Sequence, residues 1–364
     1  MSVVAAIAVL AFLILIHELG HFLAARTQGI RVVRFSIGFG PVLWKYQGAE
    51  TEYALRAIPL GGYVAFPDDE LDDTIAPDDP GLLNNRPLLD RAIVISAGVI
   101  ANLILAYFLL LVQLGWSGIP HLQAQPGVSI LQIAPDVSAI ASQAGIKSGD
   151  VVTALEGQSL GTGVAAVQSL QDAIKSHPDL PIELEIQRNN QPLNLSVTPK
   201  LGEDGVAKIG VQLAPNGTVA YRRPKSIGDL FRETGSEFER IVRLTVQGFG
   251  QLILNFREAA NQVSGPVAIV AMGADIARSD LSRLLQFAAL ISVNLAIINI
   301  LPLPALDGGQ LAFLLIEGVL GKPLPLPVQQ GVMQTGLFLL LGLGMFLIVR
   351  DTTHLDWVQT FLQQ

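Results

Sequence analysis

Four long apolar runs restrict this chain more than any other feature. Residues 3–25 hold no charged group before His17, Ala92–Trp116 and Leu284–Leu306 hold none, and Pro323–Val349 is equally clear. A helix that crosses a bilayer needs about 20 mostly apolar residues in a row. Runs of this length exceed what a buried core helix requires. Composition points the same way. Half of the 364 residues are apolar and 15% are charged, with a mean hydropathy of +0.48, whereas soluble domains are about one quarter charged. The expected fold class is therefore a polytopic α-helical membrane protein with four transmembrane helices.

Charge gives the expected orientation. No Lys or Arg precedes the first run, while Arg26, Arg31 and Arg34 follow it closely. Positive charge stays on the cytoplasmic side, which places the N-terminus, the segment 117–283 and the C-terminus outside the cytoplasm. The N-terminus lacks a basic region and a small-residue cleavage site, so residues 1–30 read as a retained span rather than a targeting peptide. The net charge of −8 argues against nucleic-acid partners.

The segments between the runs differ in kind. Residues 31–66 are rich in β-branched and aromatic residues punctuated by Gly38, Gly40, Pro41, Gly61 and Gly62, a pattern of strands joined by glycine turns. Backbone of that kind is tolerated near lipid only where protein covers it. Residues 67–91 form a cytoplasmic loop whose first part, 67–80, is acidic and expected to be solvated. Short alternating strands, among them Ile182–Gln187 and Leu193–Val197, mark a soluble domain over 126–215. Residues 226–260 read as a helix. Its apolar stretch Ile241–Leu254 is interrupted by Arg243 and flanked by Arg240 and Arg257, which suits a helix lying in the membrane interface.

The chemistry sits in the first run. His17-Glu18-Leu19-Gly20-His21 is an H-E-x-x-H motif. On a helix, residues four apart share a face, so both imidazoles can hold one zinc ion while Glu18 serves as the base. Ionisable groups inside a bilayer cost roughly 2.5–3.5 kcal/mol each on insertion scales, and a plain anchor would not gather three. There is no cysteine and there are only five histidines. A third ligand, which catalytic zinc normally has, must then come from a remaining His or a carboxylate. The extended soluble pattern fails, because Ala24 and Thr27 stand where its Gly and His would be. Glu50 is the nearest downstream Glu; Asp307, at the end of the third run (284–309), is the better candidate. Pro302 and Pro304 should break that helix and turn the carboxylate inward. His17 lies about 22 Å along its helix at 1.5 Å per residue, past the midpoint of a hydrocarbon core about 30 Å thick. Both spans run inward, so His17 and Asp307 reach the same depth.

At these residues the chain resembles the site-2 protease family, in particular the bacterial regulator-of-sigma-E protease group. The resemblance rests on HELGH at 17–21, GFGP at 38–41, PLGGYV at 59–64, SGPVAIV at 264–270 and SVNLAIINILPLPALDGG at 292–309. It implies zinc on His17, His21 and Asp307, with Glu18 as general base and Asn299 holding substrate. It further implies that residues 31–66 form a membrane-reentrant β-loop. Residues 126–215 resemble one extracytoplasmic PDZ domain, on the run Ala144-Gly145-Ile146-Lys147-Ser148-Gly149-Asp150 followed by Val151–Leu155. The implied activity is cleavage of transmembrane segments in regulated intramembrane proteolysis. Its substrates would be single-pass membrane proteins such as anti-sigma factors or membrane-anchored regulators, in a bacterial inner membrane. Two other classes share some of these features: a membrane metal transporter, and a catalytically silent PDZ scaffold. Neither needs a glutamate inside H-E-x-x-H.

Overall fold

The computed structural model describes residues 2–69, 76, 78–133, 138–202, 205–255 and 264–353. Residues 70–75 and 77 of the acidic stretch 67–80 and the end of the expected 226–260 helix, with Arg257, lie outside the described residues. In chain order the elements are α1 (Ser2–Thr27), β1 (Arg34–Gln47), β2 (Glu52–Ala65), α2 (Leu88–Ser117), β3 (Ile119–Ile133), α3 (Ser138–Gln143), β4 (Val151–Leu155), β5 (Gln158–Ser159), α4 (Gly163–Ser176), β6 (Ile182–Arg188), β7 (Gln191–Val197), β8 (Lys200–Leu201), β9 (Ala207–Lys208), β10 (Val211–Arg222), α5 (Ile227–Leu254), α6 (Pro266–Ser279), α7 (Leu281–Ile300), α8 (Asp307–Leu320) and α9 (Leu326–Thr353). They divide into two compact units, one made of Met1–Ser117 with Pro224–Gln364 and the other of Gly118–Arg223.

In the first unit α1, α2, α7 and α9 are each long and apolar enough to cross a membrane. Their burial is unequal. The buried positions of α1 are Ala6, Leu13, His17, His21 and Ala25, the last four at four-residue spacing along one face. The buried positions of α2 cover a broad face from Val94 to Leu114. By contrast α9 leaves Phe338 at 73% and Leu339 at 70% exposed, and exposed apolar surface on this scale calls for lipid. The core of this unit joins Leu13, Leu105, Leu109, Leu110, Phe287 and Ile291, and α5 adds Phe238, Ile241 and Val242 to it.

The third apolar run does not continue as one helix to residue 309. α7 stops at Ile300, the chain turns through Leu301–Leu306, and Asp307 opens a new helix, α8. Proline lacks the donor that a continuing helix needs and clashes with the preceding turn, so Pro302 and Pro304 end α7 early. The next two residues must be small. A Cβ on Gly308 would lie 2.1 Å from the Leu301 carbonyl oxygen, and one on Gly309 would lie 2.4 Å from that of Leu303.

Strands β1 and β2 each bend and contribute two segments. Residues 42–47 run antiparallel to 52–56, residues 34–37 lie parallel to 52–55, and the same 34–37 pair antiparallel with 62–65. The bend in β1 falls at Gly38 and Gly40, with φ of 85° and 82°, a region that costs other residues strain. Residues 62–65 form one edge of this small mixed sheet and 42–47 the other. Tyr63 and Val64 border the cavity described below.

The second unit is wider than the expected 126–215, because β3 begins at Ile119 and pairs with β10 as far as Arg222. Its sheet runs β10-β3-β4-β6-β7, with β5 on β4. α4 buries Ala166, Val167, Leu170 and Ile174 in a core with Val128, Ile130, Val152, Ile182, Leu184 and Ile186. Asp150, only 1% exposed, closes one end. Arg188 donates to it through Nε and Nη2, each at 2.7 Å, and the Lys147 backbone N–H donates at 2.8 Å. Burial pushes the Asp150 carboxyl up, but the Arg188 fork and the Lys147 N–H outweigh it and hold the carboxyl below its ordinary value. Asp150→Ala is expected to destabilise this unit by about 3 kcal/mol. Amide exchange should show lost protection in β4 and β6 with α1 and α2 unchanged. In the wild type the contribution is present above an ordinary carboxylate pKa of about 3.9 and is lost as pH falls through the lower folded value.

Candidate metal centre

Residues 290 positions apart converge inside the first unit. His17 and His21 lie one helical turn apart on the buried face of α1, 8% and 9% exposed. Asp307 reaches them from the first residue of α8. The Nε2 atoms of His17 and His21 are 3.3 Å apart. Asp307 Oδ2 is 3.2 Å from the first and 3.4 Å from the second. Donors about 2.0–2.1 Å from a tetrahedral zinc stand roughly 3.3–3.4 Å from one another, so the three atoms form one face of such a tetrahedron. Asp307 Oδ2 is buried and accepts no hydrogen bond of ordinary geometry. An orphaned carboxylate oxygen facing two ring nitrogens is costly unless a cation sits among them. The donor set of two imidazoles and one carboxylate fits zinc with one position left open.

Several further residues surround this triangle. Glu18, next to His17 on α1, lines a cavity of about 740 Å³ together with His17, His21, Asn299 and Asp307. A Cβ on Gly62 would come within 2.8 Å of the Glu18 side chain, so the carboxylate stands against β2. Asn299 Nδ2 lies 3.2 Å from His17 Nε2. The structure thus brings together all five expected site residues, His17, Glu18, His21, Asn299 and Asp307. Glu50 is elsewhere: it is paired with Arg26 at the exposed turn between β1 and β2.

Sequence reasoning missed the part played by α2. Helices approach most closely where small residues meet, and α1 and α2 do so here. A Cβ on Gly20 would lie 2.5 Å from the Ala97 carbonyl oxygen and 2.8 Å from the Ala101 Cβ. One on Gly98 would lie 2.3 Å from His21 Nε2 and 2.7 Å from the Cε1 of His17. Gly98 is thus the floor on which both rings rest. His21 Nδ1 is 2.9 Å from the Val94 carbonyl oxygen, and Asn102 reaches the Nδ1 of His17. The available signal was the small-residue run Ser96-Ala97-Gly98 and a lone Asn in an uncharged span.

Residues 5–343 match the sequence profile of Peptidase family M50. The chain is similar along its whole length to a "Putative zinc metalloprotease" of Nostoc sp., 62% identical over 367 residues and covering 100% of both chains. It is also similar to the "Membrane metalloprotease ARASP, chloroplastic" of Arabidopsis thaliana, 48% identical, covering 99% of this chain and 81% of that one. Among solved structures, the PDZ domain of an SdrC-like protein from Listeria innocua is 21% identical and matches 24% of this chain and 92% of its own, with a TM-score of 0.21.

Gly98→Ala tests the floor. Its methyl group must displace a ring nitrogen, so metal affinity is expected to fall by at least about tenfold while helix content stays unchanged. Chelator competition and circular dichroism measure the two. Unaltered affinity would show that the rings have room to spare.

Proposed function

The chain belongs to peptidase family M50, and we propose that it is a zinc endopeptidase that cuts peptide bonds within the membrane-spanning segments of other proteins. The observation that carries this reading is the triangle of His17 Nε2, His21 Nε2 and Asp307 Oδ2 with Glu18 beside it. It lies in a cavity bordered by helices apolar enough to cross a bilayer.

His17, His21 and Asp307 would hold the zinc. When bound, zinc polarises the scissile carbonyl and makes a water more acidic. Glu18 takes the proton from the attacking water and delivers it to the leaving nitrogen. Asn299, with its amide at the edge of the triangle, donates to a substrate carbonyl. A substrate helix hides its carbonyls in its own hydrogen bonds, so its scissile region must first become extended. The 62–65 segment, at one edge of its sheet and bordering the cavity, offers such a strand an edge to pair with. In this reading β1 and β2 form a loop that re-enters the membrane. Exposed Leu43, Trp44 and Tyr46 supply the aromatic and apolar surface that suits lipid contact.

Arg26, Arg31 and Arg34 favour a cytoplasmic end for α1, with the Gly118–Arg223 unit on the opposite side of a bacterial inner membrane. That unit acts as a PDZ domain that limits access or recruits substrate. The substrates are single-pass membrane proteins, including membrane-anchored regulators such as anti-sigma factors.

Glu18→Gln is expected to keep zinc and lose at least about 100-fold in proteolysis, since the amide removes the base and leaves the three ligands. Elemental analysis and cleavage of a single-span test substrate read the two quantities, and full activity in this variant sinks the mechanism. Asp307→Ala, in contrast, should lose both zinc and activity. Retention of zinc at wild-type affinity removes Asp307 from the ligand set.

A further inference from the structure

One stripe of α2, residues 94, 98 and 102 at four-residue spacing, faces both histidines. Gly98 gives the rings space, and the two flanking positions each reach a ring nitrogen that the metal triangle does not use. His21 Nδ1 lies 2.9 Å from the Val94 carbonyl oxygen. That contact puts a proton on Nδ1 and leaves Nε2 with its lone pair, because a carbonyl can only accept. Among the described residues, no backbone carbonyl bonds to His17 Nδ1. That atom meets Asn102, fully buried, whose side-chain Nδ2 is 3.2 Å away. The other arm of that amide, Oδ1, is buried without a hydrogen-bond partner. The Asn102 backbone is held in turn by Ser292 of α7, whose hydroxyl donates to the Asn102 carbonyl at 2.8 Å.

An asparagine end group presents its oxygen or its nitrogen by a half-turn. With Nδ2 toward the ring, His17 must carry its proton on Nε2, the atom that faces Asp307. With Oδ1 toward the ring, the His17 Nδ1–H has an acceptor and Nε2 is free. Only the second arrangement lets His17 act as a ligand through the nitrogen that lies in the triangle. It also matches the state that Val94 imposes on His21.

We propose that Asn102 is a positioning residue for the metal centre: its side-chain oxygen accepts from His17 Nδ1–H and so fixes the tautomer and ring orientation that expose Nε2. The inference rests on the zinc reading above and adds the group that prepares one ligand. Asn102 touches neither metal nor substrate; it acts through His17. Removing such a partner typically costs 10- to 100-fold in metal affinity.

The test uses the full-length protein in nanodiscs, with zinc itself as the probe. Zinc dissociation constants are measured by chelator competition for the wild type, Asn102→Leu, Asn102→Asp and Ser292→Ala. Asn102→Leu keeps the volume and loses the acceptor, and its affinity should fall about 10- to 100-fold. A carboxylate accepts from the same Nδ1–H, so Asn102→Asp should bind within about threefold of wild type or tighter. Ser292→Ala, which removes only the bond to the Asn102 backbone, should match wild type. Equal binding by Asn102→Leu and wild type overturns the proposal. An Asn102→Asp variant as weak as Asn102→Leu also overturns it, since a role in packing alone treats both as losses. A second readout needs no variant. In ¹⁵N-imidazole spectra of the zinc-loaded wild type, His17 should carry its proton on Nδ1; a proton on Nε2 overturns the assignment even if Asn102→Leu fails to fold. A wild type that binds no zinc at all overturns both this inference and the proposed function. Tight wild-type binding with an indifferent Asn102→Leu overturns the inference alone.

Discussion

Everything in the first unit depends on how ionisable side chains are made tolerable among apolar helices. Two imidazoles and a carboxylate would each cost several kcal/mol if left alone in hydrocarbon. Here each faces the others at 3.2–3.4 Å. The remaining ring nitrogens meet a backbone carbonyl and an amide on α2. That arrangement requires α1 and α2 to approach closely, which large side chains would prevent. Gly20 against Ala97 and Ala101, and Gly98 against both rings, provide the approach. Small residues and ligands therefore form one device: packing sets the distance at which the chemistry is possible.

The second requirement is a carboxylate delivered from far along the chain. An unbroken helix through 284–309 would leave Asp307 on the last turn of one continuous rod. Pro302 and Pro304 stop α7 at Ile300, and the chain folds back so tightly that only glycine fits at 308 and 309. Asp307 then starts α8, where a negative charge meets the positive end of the helix dipole. A further tie holds α8 in place. Arg91 on α2 donates to both oxygens of Glu317 at 2.9 and 3.1 Å, with both side chains largely buried. α2 thus anchors the helix that brings the carboxylate as well as the rings that meet it.

How much of this was legible in the sequence follows from the range over which each signal acts. His17, Glu18 and His21 were readable because their spacing is a property of one helix and needs no tertiary knowledge. Asp307 was readable through the proline break and the surrounding motif, though its place at the start of a new helix was not. The interruption of a long apolar run is a local event, but its outcome depends on what the chain packs against. Gly98 and Asn102 stayed hidden for a related reason. An uncharged Asn in a span and a glycine beside alanine have many ordinary explanations, and their meaning appears only when α2 is set against α1. The strand pattern of residues 31–66 was visible, yet its division into four paired segments depends on the bend at Gly38 and Gly40. The second unit begins at Gly118 rather than 126 because β3 gains its partner in β10, about ninety residues later.

The position of Glu18 gives these parts a common direction. It follows His17 by one residue, a turn of about 100° around the helix, so it cannot share the face that carries His17 and His21. That rotation aims the ligands at α2 and α8 and the carboxylate at β2, where Gly62 leaves room for it. The cavity is lined by the triangle and also by Gly61, Gly62, Tyr63 and Val64. In the proposed function, a backbone paired along the outer edge of 62–65 would run past both the base and the three ligands. A helix has no free backbone groups to pair with that edge, whereas an extended strand pairs at about 4.8 Å from its neighbour. The proposed function therefore calls for a substrate segment that has already unwound.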